Sequence, residues 1–521
     1  MDSEEQEDED RLVVNVASTQ YSIVREVSRK MHWRLSTKTS EDNWDLCWID
    51  TGMTPERLLR MKPYQKINHF PGMYTLARKN TLAVNLSLMR KAFPQHYSFF
   101  PPSWVLPAEA RLLRAQFNER HAKTFIVKPE ASCQGRGIFL VRKYEDIPMA
   151  ERFVVQRYLH KPLLLDGLKF DLRVYVLVAG CDPLRVFVHE EGLARFATEA
   201  YVSPMKSNMS DMCVHLTNYA VNKDNPNFVF NKSADRDDVG HKKSLTALMR
   251  ILKEKGHDVQ RLWQDIQAIV VKTMLCAQPL LSHVYRSCQP EDATNGMCFE
   301  ILGFDIFLDY KCRPWLLEVN HSPSFTTDTP LDHAIKDRVL TDAMSLLDLS
   351  PDNRKLQGKV RKPRQRNEKD SRLDKIRREH RTIELNRKLE ESHTGGFLKV
   401  YPDSECPEHE ELLAEATRLW SERNPRSQRQ ERRETKPKPK SSVSPFKWQA
   451  EPQQEEPIRT SVIAQLRTQA RLAASQSPLQ EQTALRSKVL QLRAEALRRL
   501  PNGIFVKPRL VALEGLGDSV S

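Results

Sequence analysis

Two carboxylates and an amide interrupt an otherwise apolar pair of strand-like segments in this chain. Asp305 sits inside FEILGFDIFLD (299–309), while Glu318 and Asn320 lie two apart in RPWLLEVN (313–320) and so project from one side of an extended backbone. Three converging oxygen donors suit magnesium, a hard cation that keeps waters and binds through a few protein groups plus substrate phosphates. Singly, each could be a polar side chain on a water-facing strand. Set together between FEILGF and WLLEV, they read as a metal site.

A second constellation is IVKPEASCQGRGIFLV (126–141), where Lys128 and Gln134 accompany Gly135 and Gly137 between two apolar runs. A glycine-rich turn exposes backbone N–H groups to phosphate, and Lys128 supplies a charge beside it. The spacing is not GxxxxGK[ST], and no helix follows as a dinucleotide fingerprint requires. An ordinary hairpin turn is the alternative. In VVQRYL (154–159), the main chain from Arg157 to Leu159 could meet the edge of a base. KFDLR (169–173) alternates Lys169, Asp171 and Arg173 on one strand face, which needs either water or a buried anionic ligand. Arg195 follows the turn of GLARFA, and HLTNYAVNK (215–223) is a polar run carrying Thr217, Asn218 and Tyr219, readable also as a plain loop. Together these residues describe nucleotide phosphates held between a glycine flap and a carboxylate-bound magnesium.

The elements that must position them are legible from periodicity. LVVNVA (12–17) and WDLCWID (44–50) read as strands around an amphipathic helix at 21–31, a small alternating N-terminal unit, and 73–93 is helical. Strands follow at 124–129, 137–142, 152–159, 169–180 and 184–197, whose β-branched content and tight Gly, Asp and Pro punctuation favour antiparallel pairing. Helical stretches from 245 to 256 and 261 to 287 precede a hairpin of 299–309 with 313–320 across Asp309-Tyr310-Lys311-Cys312. No internal repeat is found.

The chain has 521 residues, room for more than one domain, with 81 basic against 68 acidic side chains and a net charge of +13. Beyond residue 350 lie 36 basic and 24 acidic side chains, so +12 of that excess belongs to the C-terminal third and +9 to residues 354–390 alone. A neutral globular part with a cationic arm argues against a basic core wrapped on nucleic acid and for an arm that seeks an acidic polymer or surface. In that arm Leu373, Ile376 and Ile383 recur at helical spacing; residues 1–10 are acidic and disordered in character, and 396–521 reads as a low-complexity, partly helical tail. No run of 18 apolar residues exists, and the acidic start is unlike a signal peptide, so a soluble intracellular protein is expected. Nine scattered cysteines without a CxxC pair support neither a zinc site nor a disulfide framework.

The ordered set KP, CQGRGIFLV, QRYL, KFDLRVYVLV, EGLARFA, HLTNYAVNK, GFDIFLD and PWLLEVNHSPSF closely resembles the tubulin tyrosine ligase-like family of ATP-grasp ligases, most of all its polyglutamylases, over roughly residues 12–350. The resemblance implies an α/β (α+β) fold: an ATP-grasp core with a small N-terminal α/β domain, subdomains at 11–105 and 106–350, a cationic microtubule-binding helical segment at 351–395 and a tail beyond. It implies ATP on Lys128, Gln134 and Gly135 of the flap, on the hinge Gln156, Arg157, Tyr158 and Leu159, and on Lys169, Phe170, Asp171, Thr217 and Asn218. Magnesium would sit on Asp305, Glu318 and Asn320. Arg173 would act with Lys128 in catalysis, and Arg195, Tyr219, Lys243 and His321 would hold the amino-acid substrate or the reacting carboxylate. Lys243 is placed by GHKKSLT, whose two lysines allow a shift of one.

The implied reaction joins free L-glutamate to tubulin C-terminal tails through an acyl phosphate, in a monomer of the cytoplasm and cytoskeleton, cilium and basal body included, with neither nucleic acid nor membrane as partner. A glycine ligase, a ligase on another acidic protein and a catalytically dead microtubule adaptor are the alternatives. Where family members commonly carry aspartate, serine and glycine before CQG, this chain has Glu130, Ala131 and Ser132, and loss of that glycine is expected to stiffen the base of the flap.

Overall fold

A computed structural model describes residues 11–349, except 119–122, 131, 133, 150, 293–294 and 348, together with 384, 388, 392 and 394–425. The acidic N-terminus, the cationic segment, the tail beyond 425, Ala131 and Cys133 lie outside the described residues.

Three sheets follow one another along the chain. The first, in the order β2-β1-β3-β4, is parallel and comprises β1 (Val13–Ser18), β2 (Arg34–Ser36), β3 (Leu46–Ile49) and β4 (Lys66–Ile67). Its first crossover is helix α1 (Ser22–Lys30), which turns Ile23, Val24 and Val27 inward. This is the alternating unit the apolar periodicity predicts. Helix α2 (Lys79–Ala92) leads to an antiparallel sheet ordered β5-β8-β6-β7, built from β5 (Ser103–Val105), β6 (Phe125–Pro129), β7 (Phe139–Val141) and β8 (Phe153–Arg157).

The third sheet is the largest, with seven strands. The short β9 (Leu164–Leu165) precedes the two long strands β10 (Leu168–Cys181) and β11 (Leu184–Ala200), and β12 (Lys242–Ser244) pairs with β11. Helix α3 (Leu245–Glu254) and helix α4 (Val259–Cys288) intervene, the latter started by Asp258, whose carboxylate accepts the Arg261 N–H at 2.9 Å. Strands β13 (Glu300–Leu308) and β14 (Pro314–Asn320) then form the expected hairpin, with β13 against β10. Helix α5 (Pro330–Leu346) follows. Residues expected to belong to a low-complexity tail instead rejoin this sheet: β15 (Phe397–Tyr401) pairs with β11, and helix α6 (Glu408–Arg423) packs on α4 through Leu412 and Ala416. Phe397 is 2 % exposed, which explains why so short an apolar run is held.

Alternation along β10 decides what each face does. Leu172, Val174, Val176 and Val178 join Ile266, Val270 and Met274 of α4 in one core; Tyr175 and Leu177 join Val24 of α1 and Val339 of α5 in the other. Lys169, Asp171 and Arg173 continue the second face beyond the apolar residues, so the strand that builds the core also delivers charge to its end.

Candidate active site

Between the antiparallel sheet and the large sheet lies a cleft of about 820 Å³, its open mouth included. Its lining contains Lys128, Gln134, Gly135, Gln156, Arg157, Tyr158, Leu159, Lys169, Asp171, Thr217, Asn218, Asp305 and Glu318, residues from six separate stretches of sequence. Size and mixed lining suit a small-molecule site.

Register explains why these groups meet. Asp305 lies opposite Arg173 on one side and Glu318 on the other, and Asp171 lies opposite Arg195, so two charged rows cross the sheet. Arg173 donates from Nε to Asp305 Oδ1 at 2.6 Å and from a terminal nitrogen to Oδ2 at 3.1 Å. A Cβ at residue 303 would come within 2.9 Å of Arg173 Cδ, so Gly303 leaves the room in which this side chain lies. Arg195 grips Asp171 with two nitrogens at 2.8 and 2.7 Å and reaches Asp305 at 2.9 Å. Burial alone would lower the Arg195 pKa; Asp171 and Asp305 outweigh it and raise it. The same arginines outweigh burial at Asp305 and hold its carboxyl well below the usual range. Both guanidinium groups pair with protein carboxylates; the resemblance assigns Arg195 to a substrate and Arg173 to catalysis.

Asn320 directs Nδ2 at Gly303 O (3.3 Å), Asp305 Oδ2 (3.4 Å) and Glu318 Oε1 (3.5 Å), so the three expected metal ligands form one cluster. Burial first, and then Asp305, raise the Glu318 carboxyl pKa. A buried and a half-buried carboxylate side by side, with an amide that could turn its oxygen toward them, fit a divalent cation as a donor set.

Cations face them across the cleft. Lys128 donates to Gln156 Oε1 at 2.9 Å, and Gln156 donates onward to Ser103 Oγ at 2.9 Å. Burial pushes the Lys128 ammonium down to about 8. Lys169 donates to His215 O at 2.7 Å and to the Tyr158 hydroxyl at 3.2 Å, lies over the Phe307 ring, and is pushed by burial to about 7. Buried ammonium groups gain from a phosphate. At the expected hinge, the N–H groups of Arg157 and Tyr158 donate to Pro102 O and Thr124 O, which engages them within the protein. Thr217 donates to Asp171 Oδ2 at 2.7 Å.

The flap takes left-handed backbone at Gln134, Gly135 and Gly137 (φ 60°, 81° and 68°). A Cβ on Gly135 would stand 2.8 Å from Val221, so the loop rests on the segment that carries Asn218. Ser132 is not left-handed, so the left-handed positions fall on Gln134 and on the two glycines this chain keeps.

Four expected residues lie elsewhere. The Phe170 ring faces the apolar core, stacked on Phe196 at 5.2 Å, as the parity between Lys169 and Asp171 demands. His321 packs near His69 in a separate depression with Asp50 and Asn68. Lys243 turns to the backbone carbonyl of Asp238, and it is Lys242, its neighbour, that is buried. Lys242 donates to Asp332 Oδ2 at 2.7 Å and lies 3.5 Å from the centre of the Tyr219 ring, so Tyr219 belongs to this network beside the cleft. Sequence reasoning also missed Lys79, at the cleft wall, which donates to Ser132 O at 2.5 Å; nothing in its own segment marks it.

The family model described as the tubulin-tyrosine ligase family matches residues 57–357. The chain is 49% identical to "Probable beta-tubulin polyglutamylase" of Tetrahymena thermophila over 79% of its own length and 35% of the relative's. It is 44% identical to "Tubulin polyglutamylase TTLL13" of Mus musculus, covering 76% of this chain and 50% of that one, and 42% identical to "Tubulin polyglutamylase TTLL6" of Homo sapiens, covering 79% and 46%. It therefore spans between a third and a half of the length of these relatives. With the match to the family model covering more than half of its residues, the chain belongs to the tubulin-tyrosine ligase family.

Proposed function

We propose that this chain is an ATP-dependent ligase that joins free L-glutamate to glutamate side chains of tubulin C-terminal tails. The observation that carries the reading is the pair of buried Asp305 and half-buried Glu318 facing buried Lys128 and Lys169 across one cleft. Names of the relatives, all polyglutamylases, support the substrate class.

A carboxylate is a poor electrophile and must be activated. An oxygen of the acceptor glutamate side chain attacks the γ-phosphorus of ATP, ADP leaves, and an acyl phosphate results. The deprotonated amine of free glutamate then attacks the acyl carbon, the carbon–oxygen bond to phosphate breaks, phosphate departs with the proton the nitrogen sheds, and the isopeptide bond is formed. Lys128 and Lys169 offset charge on the phosphates, work that Arg173 and Arg195 do for Asp305 and Asp171. Magnesium held by Asp305, Glu318 and Asn320 would supply charge neutralisation at phosphate oxygens. The flap from Gln134 to Gly137 covers the nucleotide with backbone N–H groups. Lys242 and Tyr219, rather than Lys243, are suited to the amino-acid substrate. Residues 354–390 would hold the enzyme at the microtubule by attraction to acidic tails, an attraction that salt screens over about 10 Å at 0.1 M.

Mass spectrometry of microtubules incubated with the protein, ATP and free glutamate, at low and raised salt, tests this. Glutamate should be added to the tails, less at raised salt. Glu318→Gln should keep its circular dichroism and lose roughly 100-fold or more in rate. Undiminished incorporation by the variant, or incorporation of glycine instead, overturns the corresponding part of the reading.

A further inference from the structure

Outside the cleft, three side chains of different chemistry meet where β15 gives way to α6. Asp403, Cys406 and His409 each bring one ligand atom, a carboxylate oxygen, the thiol sulfur and a ring nitrogen, within 4.8 Å of the others. The backbone makes this meeting local. Glu405 N–H donates to Asp403 Oδ1 at 2.9 Å and Cys406 N–H to Asp403 O at 3.4 Å, closing a turn; Cys406 stands just before the helix, and the N–H of His409, in the first turn, donates to Cys406 O at 3.2 Å.

His409 supplies an independent sign. It heads the inward stripe of α6 that continues as Leu412 and Ala416, is 8 % exposed, and its Nδ1 has no hydrogen-bond partner among the described residues. A histidine kept in a core for structure alone finds partners for both ring nitrogens, because a buried unpaired nitrogen is costly. Here what lies beside the ring is a thiol and a carboxylate.

We propose that Asp403, Cys406 and His409 bind a zinc ion, which fixes the turn between β15 and α6. A sulfur, nitrogen and oxygen set disfavours magnesium and calcium, which take oxygen ligands, and suits zinc. Bond lengths of about 2.0–2.3 Å place tetrahedral ligands roughly 3.3–3.8 Å apart, so side chains within 4.8 Å need close by at most about 1–1.5 Å. Cys406 would lose its proton and bind as thiolate, giving two negative ligands for the dication, and water would complete the tetrahedron. The spacing is Asp-x2-Cys-x2-His, which a search for CxxC pairs passes over. Because β15 extends the large sheet and α6 lies on α4, the ion would tie a sheet strand to an outer helix. This site is independent of the reaction proposed for the cleft.

The test is metal analysis of the full chain. After loading with Zn²⁺ and desalting, inductively coupled plasma mass spectrometry should find about one zinc per chain. Cobalt substitution should give a thiolate-to-cobalt charge-transfer band. Cys406→Ser, at a partly exposed turn, should lose that band, and Cys406→Ser and His409→Gln should each weaken Zn²⁺ roughly 100-fold or more in competition with a chromophoric chelator, with circular dichroism retained. Chelation should speed proteolysis within 394–425 in the parent and not in either variant. Zinc well below one per chain, or equal zinc in parent and both variants, overturns the proposal, the latter by assigning the metal to other thiols.

Discussion

Replacing Arg195 with methionine separates an internal counter-charge from a substrate-gripping arm. The guanidinium makes contacts of 2.8 and 2.7 Å with Asp171 and 2.9 Å with Asp305, and it is 8 % exposed. Breaking a buried pair by removing one partner costs about 3–5 kcal/mol, because the other charge stays buried. Asp171 would keep the Thr217 hydroxyl and Asp305 would keep Arg173, which places the loss near the lower end, about 3 kcal/mol. For a folded unit of this size, that lowers the melting temperature by on the order of 4 °C. Adding Asp171→Asn removes one orphaned charge and should restore about half of the loss, a coupling read from the double-mutant cycle. Differential scanning calorimetry of the four proteins, with KM for glutamate measured in parallel, is the assay. An unchanged melting temperature with a raised KM in Arg195→Met would refute the reasoning, since it would mean that the arginine serves the substrate and not the sheet.

The remaining expectations concern the flap, the lysines and pH. Gly135→Ala puts a Cβ at φ +81° and 2.8 Å from Val221, so it should cost about 1–2 kcal/mol of flap closure and raise KM for ATP roughly 5- to 30-fold; an unaltered KM argues against the flap. Lys242→Met should depress both glutamate incorporation and the melting temperature, whereas Lys243→Ala should leave both nearly unchanged; the reverse order would return the role to Lys243. Phosphate binds the protonated lysine, so with Lys169 at about 7 and Lys128 at about 8, ATP affinity should fall as pH rises from 7 to 9. The stability slope of the ligand-free protein has the opposite sign: the unfolded chain holds more protons than the folded one between these lowered values and about 10.4, so these lysines make stability rise with pH there. Calorimetric ATP titrations across that range check the first, and pH-dependent melting the second; a flat affinity profile contradicts the assignment.

Much of the site could be read from sequence because strand parity is a local rule. Asp305 inside an apolar run, and Glu318 with Asn320 two apart, fix a face without knowledge of the partner strand. Parity also predicts that Phe170 must oppose Lys169 and Asp171, and its ring stacks on Phe196 in the core. What stayed illegible depends on register between distant strands. That Arg173 meets Asp305, and Arg195 meets Asp171, is set by pairing across β10, β11 and β13. Which of Lys242 and Lys243 turns inward is set by β12 against β11. Lys79 reaches the cleft only because its helix begins beneath the flap. Strand β15 was masked by its charged surroundings, since five residues carry little periodicity of their own.

The return of β15 to β11 alters the topology of everything between it and α5. The chain that leaves the sheet after α5 comes back to it at β15, so both the last helix of the family match and this strand belong to one folded body. Cutting the chain near residue 360 would therefore do more than trim a tail: it would strip the last strand from a sheet and uncover backbone ready to pair with a neighbour. Expression boundaries drawn at the edge of the family match fall on the wrong side of that strand.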